Sequence, residues 1–552
     1  MAALLAGAFF LPGLGSVGLL DPWEPHYAEV SRQMLLREDW VHPWWRDAGF
    51  FSKPPLVLWG GAAGLALSGP GAEELGVRLP VALLALLGVA ISTAAVSRLA
   101  SRRAAWIAAA ALSTAPFLVL FARQAVPDAP LAALSTAGLL MLAVALLDDR
   151  AGSGWAVTGW VLLGLAALAK GPVGPALPVA ALLAWLVVTG DWRRAPRLLG
   201  IERLGRFPVP VGPVAFLLVA LPWYAAMVAW PGKDESGWSF LQRFWLHDHL
   251  RRFGPGAHVP VAGGGWLSYL GWIAVGTFPW VAALPGGIAE AVRTRGEPRD
   301  ARGGLALLCG LAAAVGYLLV GLTATRYPHY VLPIVPPLLV LAALFLDRIA
   351  DEGLAHHRVA VVLGGALLAA TGWALALQPR LVSQLFTYDP RRTWPVGVNG
   401  AGSFLGGVAV LAIAGLFAAA VRRSGRFAVA ALLAASLLVA GWLSLVHWPE
   451  LAPHWTQREV FLALRAENPA PGEPVVAWMM NWRGETFYGK NRVREIADPS
   501  RLRELLARPG RIWVVTEADR IPSLAGAVGQ VRSLRVAGPV TGRYRLVELE
   551  MK

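Results

Sequence analysis

Three carboxylates and a histidine crowd the stretch LLDPWEPHYAEVSRQML, residues 19–35. Asp21, Glu24 and Glu29 stand there beside His26, Tyr27 and Arg32, directly after an apolar run. Charge next to membrane-depth segments is expensive, so each such residue raises a functional question. Similar clusters recur along the chain. Lys53 lies in SKPP, Arg123 and Asp128 in ARQAVPDAPL, and Lys170 in ALAKGPVG. Asp248, His249, Arg251 and Arg252 lie in FWLHDHLRRF, and Arg326, His329 and Tyr330 in TRYPHYVLP. Together these types suit group transfer from a lipid phosphate. A carboxylate deprotonates or orients an acceptor hydroxyl. Arg and Lys hold the departing phosphate through charge-assisted bonds. Adjacent Asp248 and His249 are the candidates for a divalent metal that steadies the same phosphate. Blander readings stand beside these. A lysine at a helix end often snorkels, paired arginines can bind lipid phosphates, and Glu29 with Arg32 is expected as an i,i+3 pair on a solvated helix face.

The elements that must position these residues are membrane helices. Of 552 residues, 56% are hydrophobic and only 15% charged, and mean hydropathy is +0.53. Apolar runs of about 20 residues are long enough to cross a bilayer core. About thirteen spans are expected, near 1–20, 77–96, 104–122, 129–147, 154–169, 173–190, 209–229, 266–286, 303–323, 330–346, 358–376, 403–420 and 427–446. The N-terminal run lacks a basic flank and an A-x-A site, which favours a first span over a signal peptide and is compatible with a misassigned start codon. If it runs from inside to outside, loops such as SRLASRR, DWRRAPRLLGIERLGRF, AVRTRGEPRDARGG and RRSGR fall inside, as the excess of arginine requires. The net charge of +14 is then a topology signal and not a mark of nucleic-acid binding. All of the polar clusters above fall on the outer face. Long outer loops are expected at about 21–76, 230–265 and 377–402, the first containing amphipathic or apolar helices along the interface. The one cysteine, Cys309, sits in an apolar run, so no disulfide framework exists.

The chain divides into a membrane region, 1–447, and a tail, 448–552, on the outer side. In the tail, short apolar runs (PVVAWMM, RIWVVTE, YRLVELEM) alternate with helical stretches (DPSRLRELLARPG, EADRIPSLAGAV). That pattern predicts a small α/β domain with a partly parallel sheet. It lacks phosphate-binding glycine motifs, which suits a structural or acceptor-guiding cap. The fold class is therefore an α-helical polytopic membrane protein with a small C-terminal α/β domain. A transporter or flippase for a lipid-linked sugar would place ionisable groups near mid-membrane and show internal repeats, and neither is visible. A non-catalytic scaffold would leave the ordered loop motifs without a purpose.

WEPHYAEVSRQML, FFSKPPLVLW, VRLP, PDAPL, LAKGPVG, PWY, HDHLRRF and RYPHYVLP, in that order, resemble the ArnT-like branch of the GT-C membrane glycosyltransferases, relatives of the protein O-mannosyltransferases. The resemblance covers roughly residues 1–350. It implies a bacterial inner-membrane enzyme with its active site and C-terminal domain on the periplasmic face. Such an enzyme takes a sugar from a polyprenyl phosphate and passes it to lipid A, a protein or another glycan. Carried over residue by residue, Glu24 matches the second member of an Asp-Glu pair, whose first member reads Trp23 here, with Asp21 two positions earlier. Lys53 matches the lysine of Glu-Lys-Pro-Pro, which reads Ser52-Lys53-Pro54-Pro55. Asp248, His249 and Arg252 match Glu-His-x-x-Arg-Phe, Asp128 matches a second acidic position, and Tyr27 and Tyr330 match aromatics. The implied roles are these: Glu24, Asp21 or Asp128 catalytic; Lys53, Lys170, Arg252, Arg123 and Arg326 on the donor phosphate; Tyr27, His26 and Tyr330 on substrate; His249 and Asp248 on a metal.

Overall fold

Where no water is available, backbone N–H and C=O groups must be satisfied within the segment, so long apolar runs become helices. The computed structural model describes residues 1–204, 207–253, 265–294, 300–323, 326–385, 400–470, 472–507, 510–528, 533–538 and 542–550. Among the described residues, nine helices are long and apolar enough to cross a membrane, or eleven if two bent pairs each form one span. One pair, Arg102–Thr114 with Pro116–Ala122, bends by 59°. Its break falls before Pro116, where Ala115 adopts φ −65°, ψ 132°, because proline disfavours helical geometry at the residue it follows. The second pair, Ser268–Gly276 with Trp280–Arg293, bends by 112°. The two remaining expected spans are shorter helices. Val173–Thr189 has 17 residues, and Ala2–Phe10 has 9. The first helix stops early because Pro12 cannot extend it and Gly13 turns left-handed at φ +68°. The last span reaches His454, beyond the expected 446.

The first long loop contains the helices Trp23–Leu36 and Leu56–Ser68. Leu56–Ser68 packs closely on Glu73–Leu99. A Cβ on Gly64 would lie 1.8 Å from the carbonyl oxygen of Gly76, so this crossing requires a glycine.

The tail forms a five-stranded sheet in the order Arg494–Ile496, Val475–Trp478, Arg511–Glu517, Tyr544–Glu550, Ser533–Ala537. The first two pairings are parallel and the last two antiparallel. Side chains alternate across a strand, and here each face has its own task. Ala477, Trp513, Val515 and Leu546 pack toward Leu19, Ala28, Val77 and Ala125 of the membrane region. Val476, Trp478, Val514 and Val547 pack on the sheet's own helices, Pro499–Leu506 and Ile521–Val528. The sheet is therefore docked on the first loop and on the beginning of the span Glu73–Leu99.

Candidate active site

Glu24 and Asp21 both hold hydrogen bonds that join distant elements of the fold. Glu24 is buried, and each of its oxygens takes two hydrogen bonds. Arg78 donates from Nε to Oε1 at 2.8 Å and from Nη2 to Oε2 at 2.7 Å. The backbone N–H of Ala125 donates to Oε1 at 2.7 Å, and that of Leu20 to Oε2 at 2.8 Å. Arg78 also donates to the carbonyls of Leu14, Val17 and Gly18. A carboxylate with its lone pairs filled in this way ties the first loop to a span and to the 123–127 turn. Asp21 accepts the Gly484 N–H at 2.9 Å on Oδ1, and Gln457 Nε2 at 3.0 Å and the Tyr544 hydroxyl at 2.7 Å on Oδ2. It fastens the tail to the first loop. Nearby, Glu29 is fully buried, paired with Arg32 at 2.5 Å and bonded to Asn491 at 2.6 Å. The expected solvated helix-face pair is instead part of the same seam, and burial raises the Glu29 pKa against the pull of Arg32.

Arg123 is engaged with backbone carbonyls. Its guanidinium is buried and donates to the carbonyls of Phe9 at 2.8 Å and Ser444 at 3.3 Å. Burial, with the charge of Arg78 beside it, brings its pKa down to about 10.

A second constellation has the opposite character. Asp128, at the start of the span Asp128–Leu147, takes Lys170 Nζ on Oδ1 at 2.5 Å, and His329 Nε2 lies 3.8 Å from the same oxygen. Among the described residues its Oδ2 accepts no hydrogen bond. Lys170 stands 5.9 Å over the Tyr330 ring, and Tyr330 packs edge-on to His329 at 5.1 Å. Tyr327 stacks on His329 at 5.4 Å. Arg326 is within electrostatic reach of Tyr269, beside Tyr330. His249 Nδ1 bonds the Phe244 carbonyl at 2.6 Å. Its Nε2 lies against Gly171, next to Lys170, so close that a Cβ there would meet it at 2.9 Å.

Lys53 connects this group to the first-loop helix, being within electrostatic reach of both Asp128 and His26. Its Nζ donates to the Ser52 carbonyl at 2.9 Å. His26 is surrounded by rings: Trp45 at 4.2 Å and Phe50 at 4.9 Å edge-on, with Tyr27 and Trp23 stacked at 6.0 and 6.2 Å. Burial lowers its pKa well below the usual value, and the charges of Arg483, Lys53, Arg46 and Arg243 lower it further. His26 is thus a neutral ring within a cationic enclosure. Arg46 and Arg483 both lie over Trp45, at 5.5 and 5.3 Å. Arg46 also pairs with Glu495. Arg483 has no carboxylate partner among the described residues. It belongs to the tail and carries a left-handed φ of 78°.

The structure does not build a metal centre from the expected pair. Asp248 Oδ1 takes His247 at 2.9 Å and faces Arg243 at 3.6 Å, whereas His249 is held by Phe244 and Gly171. Among the described residues no three His, Cys, Asp or Glu side chains are grouped to hold an ion. The Arg252 backbone is in the turn Leu250–Phe253, and its side chain lies outside the described residues.

Sequence reasoning missed Arg46, Arg78, Arg243, Arg483 and Trp45. Arg78 had a visible signal: it is a lone arginine in VRLP, entering an apolar run, and such a charge needs a partner. Arg483 had none, because 430 residues separate it from Lys53.

The chain resembles known proteins in sequence and in fold. Residues 52–223 match the family model for dolichyl-phosphate-mannose-protein mannosyltransferase. The chain is 33% identical over 355 residues to undecaprenyl phosphate-alpha-4-amino-4-deoxy-L-arabinose arabinosyl transferase 2 of Pseudomonas fluorescens, a match covering 62% of this chain and 59% of that protein. It is 31% identical over 377 residues to the corresponding transferase of Pseudomonas paraeruginosa, covering 67% of this chain and 63% of that one. The chain therefore spans about three-fifths of the length of the curated relatives it matches. The crystal structure of ArnT from Cupriavidus metallidurans bound to undecaprenyl phosphate superposes with a TM-score of 0.73 at 24% identity, over 99% of this chain and 97% of that one. The resemblance carried by the loop motifs thus extends to the fold of the whole molecule.

Proposed function

We propose that this ArnT-like chain is an integral-membrane glycosyltransferase that moves a sugar from a polyprenyl-phosphate donor to an acceptor of the bacterial envelope. The observation that carries the reading is the enclosure in which one carboxylate, Asp128, with an oxygen that accepts no hydrogen bond among the described residues, shares its surroundings with Lys53 and Lys170. The activity named for the relatives, transfer of an aminoarabinose from undecaprenyl phosphate, supports the same donor class.

In this reading the acceptor hydroxyl oxygen attacks the anomeric carbon of the sugar. The bond from that carbon to the phosphate oxygen breaks, and its electron pair stays on the departing polyprenyl phosphate. The hydroxyl proton passes to Oδ2 of Asp128. Lys170 fixes the carboxylate through Oδ1, and His329 backs it. Lys53, Arg243 and Arg483 neutralise the charge growing on the phosphate, in a site where aromatic walls lower the dielectric and strengthen each contact. The Trp45, Tyr27 and Tyr330 rings offer flat apolar faces for the sugar. Asp21 and Glu24 are positioning residues. Among the described residues no ligand set fits a metal that the resemblance implies. The acceptor side and the periplasmic orientation belong to the same proposal, with lipid A the acceptor class favoured by the likeness.

The test is transfer of labelled sugar by purified protein from polyprenyl-phosphate-linked donors into envelope extract. Native protein is expected to make labelled product, and Asp128→Asn to lose about 100-fold or more, the usual worth of a positioned base. Undiminished transfer by Asp128→Asn would remove Asp128 from the chemistry. Absence of product from native protein across the donor panel would overturn the transferase reading.

A further inference from the structure

A separate cavity of about 480 Å³ opens in the seam between the first-loop helix and the tail. Its walls come from the helix Trp23–Leu36, the beginning of the span Glu73–Leu99, the helix Arg458–Ala466 and the turn 487–492. Five cations line it: Arg32, Arg458, Arg465, Lys490 and Arg492. Its only acids among the described residues, Glu73 and Glu74, are already engaged. Glu73 accepts the Gly71 N–H at 2.9 Å. Glu74 is buried, takes the Tyr488 hydroxyl at 3.0 Å, and faces Arg458 at 3.3 Å. Arg32 is held by Glu29, yet among the described residues its buried Nε has no hydrogen-bond partner. Arg465, Lys490 and Arg492 have no carboxylate partner among the described residues. Asn491 pins the turn that carries the last two by donating to Glu29 at 2.6 Å.

Arg465, Lys490 and Arg492 are exposed around one cavity; like charges gathered there repel one another, and an anion entering it would relieve that repulsion and gain charge-assisted hydrogen bonds. The position says which kind. Glu73 is the first residue of a membrane span, so the cavity lies at headgroup depth. Leu36 and Leu462 line it as well, 69% and 42% exposed, and offer an apolar edge beside the cations. We propose that this cavity between the first-loop helix and the tail binds the phosphomonoester headgroup of a membrane lipid, with Arg465, Lys490 and Arg492 on the phosphate and an acyl chain along Leu36 and Leu462. The inference uses none of the groups assigned to transfer, and does not depend on that reading.

The experiment is binding of phosphatidic acid to the full-length protein in mixed micelles. Native protein is compared with R465Q/K490Q/R492Q and with a charge-matched control at distant exposed sites, R193Q/R293Q/R358Q. Each basic contact near a lipid surface is worth about tenfold or less, so the cavity variant is expected to bind on the order of 100-fold more weakly, the control to be unchanged, and phosphatidylcholine not to compete. Equal binding by the native and cavity variants, or equal loss in the control, overturns the proposal. Inorganic phosphate competing as well as the lipid would overturn the lipid part and leave a soluble anion. A phosphatidic acid with a photoreactive acyl chain, used on native protein, provides a readout independent of variant folding. Labelling at Leu36 or Leu462 is expected, and labelling elsewhere alone counts against the site.

Discussion

Glu24 and Asp128 are both buried carboxylates paired with one basic side chain, and the protein uses them in opposite ways. Around Glu24, two side-chain and two backbone donors fill both oxygens. Around Asp128, Lys170 bonds one oxygen and the other accepts nothing among the described residues. The difference lies in the number of lone pairs already taken, and it is the ground on which Glu24 is read as structural and Asp128 is proposed for the chemistry. Glu24 closes the first-loop seam with both oxygens filled, whereas Asp128, within electrostatic reach of Lys53, keeps an oxygen that accepts no hydrogen bond among the described residues.

The comparison breaks most sharply at Arg78. Arg78→Ala leaves Glu24 buried and unpaired, a change of about 3–5 kcal/mol. It should remove most folded protein, as measured by thermal unfolding and size-exclusion recovery in detergent. Asp128→Asn should do the converse: transfer falls about 100-fold while unfolding temperature stays near that of native protein. If instead Arg78→Ala folds normally and Asp128→Asn does not, the two assignments must be exchanged. Asp21→Ala removes three hydrogen bonds that link the first loop to the tail. At about 1 kcal/mol each it should loosen the tail, with faster protease cleavage near residues 455–484, and lower transfer as a secondary effect. Arg483→Gln should raise KM for the phosphate-linked donor by about tenfold, the loss of one charge-assisted bond, and leave unfolding unchanged. An effect on stability alone would confine Arg483 to the seam.

The smallest expected effect concerns pH. The folded-state pKa of His26 lies well below its ordinary value of 6.5, so the unfolded chain binds this proton first as pH falls. The stabilising contribution is fully present above pH 6.5. It is lost progressively below that, by at most about 1.4 kcal/mol per pH unit, until the lowered folded value is reached. Unfolding temperature measured from pH 7.5 to 5 should fall more steeply in native protein than in His26→Gln. Parallel curves would mean that His26 can take its proton inside the enclosure.

Much of the fold was legible because hydropathy reports directly on membrane burial. The helices correspond to the expected runs, except where Pro12, Pro116 and similar residues shorten or bend them. In the tail, Val475–Trp478, Arg511–Glu517 and Tyr544–Glu550 were readable, because they lie inside the sheet and carry apolar residues, in a run in the first two and interrupted by charges in the third. Arg494–Ile496 and Ser533–Ala537 are edge strands, the first only three residues long and the second mostly exposed, and their sequences look like loop. The site was legible in its residue types and not in its partnerships. Asp128, Lys170 and Lys53 stood out as charges beside apolar runs. Nothing local indicated that Glu24 would be saturated by Arg78, that Arg123 would face inward, or that Arg46, Arg243 and Arg483 would surround His26. Those facts depend on contacts between residues tens to hundreds of positions apart.

The bond from Tyr544 to Asp21 spans almost the entire polypeptide. During synthesis the first loop emerges early, whereas Tyr544 and Arg483 follow only after the last span has been inserted. A ribosome-bound intermediate with every helix in place therefore still lacks one cation of its enclosure and the clamp on its first loop. Maturation of this protein is set by its final hundred residues, and a nonsense change late in the gene should be as damaging as one near the middle.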